Sequence, residues 1–81
     1  ELLQDCLARL AALDRRLNAF VTLTAEEALA DARAAEAEIA RTGAPRSALH
    51  GIPVGLKDII DLAGHTTTCH SRLCLDRVAR E

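Results

Sequence analysis

The apolar residues keep a helical period to about residue 40 and then lose it, and this break constrains the chain more than any other feature. Leu3, Cys6, Leu7, Leu10, Leu13 and Leu17 fall at helical spacings and build one apolar stripe. Asn18 ends the pattern, and Asn18 to Leu23 is a short β-branched and aromatic run that reads as extended. Thr24-Ala-Glu-Glu27 then fits a capping box, the Thr hydroxyl taking the N3 amide while Glu27 reaches back. From it a second helix follows with Ala28, Leu29, Ala32, Ala35, Ile39 and Ala40 on one face, closed by Gly43 and Pro45.

Two such stripes need something to pack on, and the rest of the chain supplies little. Sixteen of the apolar residues are Ala, which leaves 13 Leu, four Ile, three Val and one Phe to fill a core. A chain of 81 residues buries only about 60–65% of its unfolded surface, so marginal stability is expected. No Met is present, Glu1 included, and the chain reads as an excerpt of a longer one. A net charge of −2 and a single Phe exclude a basic or base-stacking nucleic-acid surface. The longest uncharged runs, Leu17 to Ala25, Ser47 to Leu56 and Leu62 to Ser71, fall far short of the ~20 residues a spanning helix needs. The opening residues do not follow the secretory-leader pattern. Three irregularly spaced cysteines make no disulfide framework, so a reducing, cytoplasmic setting is expected.

Beyond Arg46 the character changes. Ile52, Val54 and Leu56 alternate like one face of a strand, with Pro53 suited only to its edge or entry. Gly51 and Gly55 flank Pro53 and mark a close approach of backbone or ligand. Thr66, Thr67 and Thr68 favour another extended stretch, and Leu73 to Ala79 reads as the start of a helix.

Lys57 is the only lysine; the other nine cationic residues are Arg. It stands between Ile52-Pro-Val-Gly-Leu56 and Ile59-Ile60, and an ammonium among apolar neighbours is pushed toward its neutral, basic form. A neutral amine can serve as a general base toward a serine hydroxyl. The plainer alternative is an ion pair of Lys57 with Asp58 or Asp61 and nothing more. Asp58 and Asp61 themselves read as hydrogen-bond acceptors at a strand end rather than as a catalytic carboxylate pair.

The run Leu49-His-Gly-Ile-Pro-Val-Gly-Leu-Lys-Asp58, with Ile59-Ile-Asp-Leu-Ala-Gly64 and Thr67-Thr68 after it, resembles the N-terminal signature of the amidase signature family. Leu13-Asp-Arg-Arg-Leu-Asn-Ala-Phe-Val-Thr22 and the Ala-rich helix resemble that family's opening. The resemblance implies an α/β fold, with residues 1–81 as an incomplete N-terminal part of an amidase domain. Two outer helices and the first strands of a mixed-sheet α/β/α architecture would lie here. It also implies an amidohydrolase that cleaves carboxamide C–N bonds through a Ser–cis-Ser–Lys triad, with Lys57 as the catalytic lysine and no metal or cofactor. Both serines belong downstream in the family. Ser47 and Ser71 are the only serines here and neither lies in a Gly/Ser-rich segment, so the excerpt alone is expected to be inactive. Where the family reads Thr-Thr-x-Gly-Ser this chain has Thr67-Thr-Cys-His-Ser71, and His70 alters the backbone if that glycine serves a positive φ.

The expected partners are a small-molecule amide and the remainder of the same polypeptide, with no membrane and no direct nucleic-acid contact from this segment. The signature is shared with the A subunit of glutamyl-/aspartyl-tRNA amidotransferases, the alternative within the enzyme class. Outside it, the alternative is a non-catalytic helical interaction module or remnant. His65, Cys69, His70 and Cys74 lie within ten residues, but their spacing matches none of the common paired-ligand zinc patterns and is not Cys-x-x-Cys. His50 and His65 read as loop residues.

Overall fold

A computed structural model describes residues 1–80. Helix α1 spans Leu2–Leu17 and helix α2 spans Ala25–Thr42. Both end where the sequence punctuates them. Asn18 turns left-handed at φ 48° and donates its N–H to the Asp14 carbonyl, and Gly43 does the same at φ 77° toward Ile39. The Asp14 side chain extends the first stop, its Oδ1 accepting the N–H groups of Ala19 at 2.7 Å and Phe20 at 3.3 Å. Asn18 to Leu23 then forms an irregular connection rather than a strand.

The capping box expected at Thr24 is not formed. Thr24 adopts φ −97° and ψ 51° and makes no side-chain cap bond. Glu27, its intended partner, instead meets His65 Nε2 at 3.0 Å. A long-range contact has taken the carboxylate that the local motif needs.

Along α2 the expected face is the inner one: Ala35 is buried, and Ala28, Leu29, Ala32 and Ile39 are half-buried, with Ala40 outside. Of the α1 stripe, Leu3, Leu7 and Leu10 are half-buried, while Cys6, Leu13 and Leu17 remain open to solvent. Gly51 lies against α2, where a Cβ on it would stand 3.8 Å from the Ala35 methyl. Its φ of 82° is a second reason for glycine at that turn.

The strand expected over Ile52–Leu56 is absent; among the described residues no strand forms. Pro53 has no amide to give, and no neighbouring segment offers a ladder. The β pairing that exists is one antiparallel bridge, Thr66 with Val78. Gly64 N–H to Ala79 O, Ala79 N–H to His65 O and Thr67 N–H to Arg77 O extend it at 2.9, 2.9 and 3.2 Å. The helix expected over Leu73–Ala79 is therefore replaced. Ser71 Oγ accepts the Leu73 N–H, a 3₁₀ turn runs over Arg72–Cys74, and the chain then doubles back to pair with residues 64–67.

The molecule stays open. Its accessible surface is 6962 Å², whereas a compact monomer of this size exposes about 4,700 Å². The radius of gyration is 14.8 Å, against about 12 Å for a compact domain of this length. Ile52, Val54, Leu56, Ile59, Ile60, Leu62 and Leu73 are all exposed, the last at 96%. No helix among the described residues is long and apolar enough to cross a membrane.

Candidate functional site

Lys57 sits on the irregular segment between Pro53 and Asp58, and its side chain is exposed. The apolar enclosure expected from the sequence is not made within residues 1–80, because Leu56, Ile59 and Ile60 face solvent as well. No ion pair links Lys57 to Asp58 or Asp61 among the described residues. The Lys57 carbonyl accepts the N–H groups of Ile59 at 2.7 Å and Ile60 at 3.0 Å, which turns the chain sharply just after the amine. Phe20 lies alongside, its ring 4.0 Å from where a Gly55 Cβ would be.

Asp58, the next residue, is bonded through both carboxylate oxygens and its carbonyl. Its Oδ1 accepts the Thr68 N–H at 2.7 Å and its Oδ2 accepts the Thr68 hydroxyl. Its carbonyl accepts the Cys69 N–H at 3.0 Å. Thr68 Oγ1 in turn accepts the His70 N–H at 3.1 Å, and Thr67 Oγ1 reaches the Ile60 carbonyl at 3.4 Å. Thr67 and Thr68 are the buried polar residues among those described, and each buried hydroxyl is satisfied by these bonds. The Thr68 hydroxyl, then its N–H, hold the Asp58 carboxyl below the usual carboxylate range; burial opposes this, and the His70 and Cys69 N–H groups add to it. Asp61 is also an acceptor, paired with Arg77 at 2.8 Å. Both aspartates thus take the role expected of them, although no strand end is present.

Thr68 to Ser71 closes a tight turn, with Ser71 N–H on the Thr68 carbonyl at 2.8 Å. Cys69 at φ 50° and His70 at φ 59° both occupy the left-handed region that glycine prefers. His70, where the resemblance leads one to expect glycine, thus carries its side chain on a left-handed backbone.

The remaining candidates are dispersed. Ser47 Oγ accepts the Leu49 N–H and Ser71 caps the 3₁₀ turn, so each serine serves its own loop. His65 goes to Glu27 on α2, and no three His, Cys, Asp or Glu side chains converge in a metal-holding group among the described residues. Cys6, Cys69 and Cys74 are free thiols. His50 holds more detail than a loop assignment suggests. Its Nδ1 accepts the Arg46 N–H at 3.0 Å, which leaves the proton on Nε2, and that atom is buried with no partner among the described residues.

The run from Gly51 to Asp58 thus forms a loop that meets α2 at Gly51 and is tied at its far end to the threonine turn. The amidase family model matches this loop and everything around it, from residue 1 to residue 81. The chain belongs to the amidase family. Among curated amidase-family relatives, the A subunit of the glutamyl-tRNA(Gln) amidotransferase from Chloroflexus aggregans is 49% identical over 73 residues, covering 90% of this chain and 15% of that protein. The protein of the same name from Chromohalobacter salexigens is 47% identical over 73 residues, with the same coverage. That from Azotobacter vinelandii is 44% identical over 79 residues, 98% of this chain and 16% of its own. The chain therefore spans about 15% of the length of these amidase relatives. No solved structure matches it significantly.

Proposed function

We propose that residues 1–81 are the N-terminal part of the A subunit of an amidotransferase acting on glutamyl-tRNA(Gln), and that Lys57 is its proton acceptor. The observation that carries this reading is the identity of 44–49% to such A subunits over 90–98% of the chain. It favours the amidotransferase over the free-standing amidase that the sequence alone put first. The interaction-module reading loses ground for the same reason.

In the mechanism we propose, a neutral Lys57 amine withdraws a proton through a cis-peptide serine, and a second serine attacks the carbonyl carbon of a carboxamide. The C–N bond breaks, nitrogen leaves as ammonia, and water releases the acyl group from the serine. Residues 1–81 supply the amine, and downstream chain supplies both serines and the oxyanion donors. The remainder of the polypeptide would also complete the mixed sheet and cover Leu56, Ile59 and Ile60, which removes water from around the amine. The excess exposed surface fits that role. Companion subunits, a carboxamide donor and a cytoplasmic setting belong to this reading. Binding of the tRNA falls to other parts, since this segment carries a net charge of −2.

The test uses the full-length protein with its companion subunits. Ammonia release from glutamine and asparagine is measured with and without glutamyl-tRNA, together with amide transfer to the tRNA. The amidotransferase reading expects transfer to the tRNA. Turnover of free amides with no transfer under any combination of subunits would restore the free-standing amidase.

A further inference from the structure

We propose that Asp58 and Thr68 form a positioning latch for Lys57, tying the loop that carries the amine to the Thr66–Thr68 segment; this rests on Lys57 being the base. Among the described residues the segment Ile52–Lys57 pairs in no ladder. It is anchored at one end by Gly51 on Ala35 and at the other by Asp58. Of the two anchors, only the second adjoins the amine. Three bonds converge there: the Thr68 N–H and hydroxyl on the carboxylate, and the Cys69 N–H on the Asp58 carbonyl. The anchor they reach is buried, with Thr67 2% and Thr68 8% exposed. It is held from its other side by the pairing of residues 64–67 with 77–79.

A carboxylate and a hydroxyl bonded to each other and enclosed by further N–H donors are not free for proton transfer. Their effect on catalysis is geometric: they fix the backbone from which the Lys57 side chain starts. A base displaced by about 1 Å costs on the order of 100-fold in rate while substrate binding is untouched. The latch therefore acts on kcat and leaves KM alone.

The experiment compares Thr68→Val, Thr68→Ser, Asp58→Asn, the double variant and Lys57→Ala in the full-length protein, with carboxamide turnover and melting temperature measured for each. Thr68→Val and Asp58→Asn are each expected to lower kcat about 10- to 100-fold with KM within about twofold. Thr68→Ser, which keeps the hydroxyl, should return to within about threefold of the parent. The double variant should be no worse than the poorer single one, as two halves of one unit are. Wild-type kcat in Thr68→Val with an inactive Lys57→Ala overturns the latch alone. Activity in Lys57→Ala overturns the reading beneath it. If Thr68→Val does not fold, Asp58→Asn against Thr68→Ser decides: equal losses in both overturn the latch, and loss in the first alone supports it.

Discussion

Taken by itself, the 81-residue chain should not unfold as a cooperative unit, and the structure sets the size of the deficit. It exposes 6962 Å², about 2,200 Å² more than a compact monomer of its size. If about 57% of that excess is apolar, as on an ordinary protein surface, roughly 1,250 Å² stays in water that a compact fold would cover. At about 25 cal/mol per Å² this forgoes about 30 kcal/mol. Whole domains are stable by only about 5–15 kcal/mol. Because the comparison sets one folded form against another, the unfolded reference largely drops out. Thermal melting followed by far-ultraviolet circular dichroism should show a shallow, non-cooperative loss of helix, with dye binding to exposed apolar surface from the start. Turnover of carboxamides should be absent. A sharp, concentration-independent transition of a monomer above about 45 °C, in the range of ordinary domains, would refute the reasoning from exposed area.

Two further expectations concern the threonine turn. His70→Gly in the full-length protein should stabilise it by about 1 kcal/mol, because a non-glycine residue at φ 59° carries left-handed strain; an unchanged or lowered melting temperature would remove the strain argument. The second follows from the depressed Asp58 carboxyl. Its folded form holds a proton less readily than the unfolded one. The stabilisation is thus complete above the ordinary carboxylate range near 3.9 and is lost as pH falls through the lower native value. Proton-linked stability between about pH 4 and the acid transition should shrink in Asp58→Asn, measured by denaturant melts at stepped pH; an identical pH dependence in both proteins would contradict the bond network.

The helices were legible because their signals are local. The inner face of α2, from Ala28 to Ile39, and the stops at Asn18 and Gly43 need only the residues beside them. What escaped was whatever depended on a distant partner. Glu27 reads as half of a capping box until His65, 38 positions later, takes its carboxylate. Ile52, Val54 and Leu56 carry strand alternation, but alternation supplies no neighbour to pair with. Leu73 to Ala79 has helical composition, and its backbone goes to residues 64–67 instead.

At the site, Lys57 stood out because it is the lone lysine, whereas the Asp58–Thr68 latch joins residues ten apart with no periodicity to betray them. Three consecutive threonines following Asp58 and Asp61 were the available hint. The positive φ at Cys69 and His70 was hidden behind residue types that do not advertise it. The family resemblance, by placing a glycine at position 70, pointed to it indirectly.

The central claim is that Lys57 is the base, and turnover of Lys57→Ala and Lys57→Arg in the full-length protein tests it most directly. Neither replacement offers a neutral amine, so carboxamide turnover should fall by about 10⁴-fold or more in both, with melting within a few degrees of the parent. Turnover near the parental rate in either folded variant would contradict it.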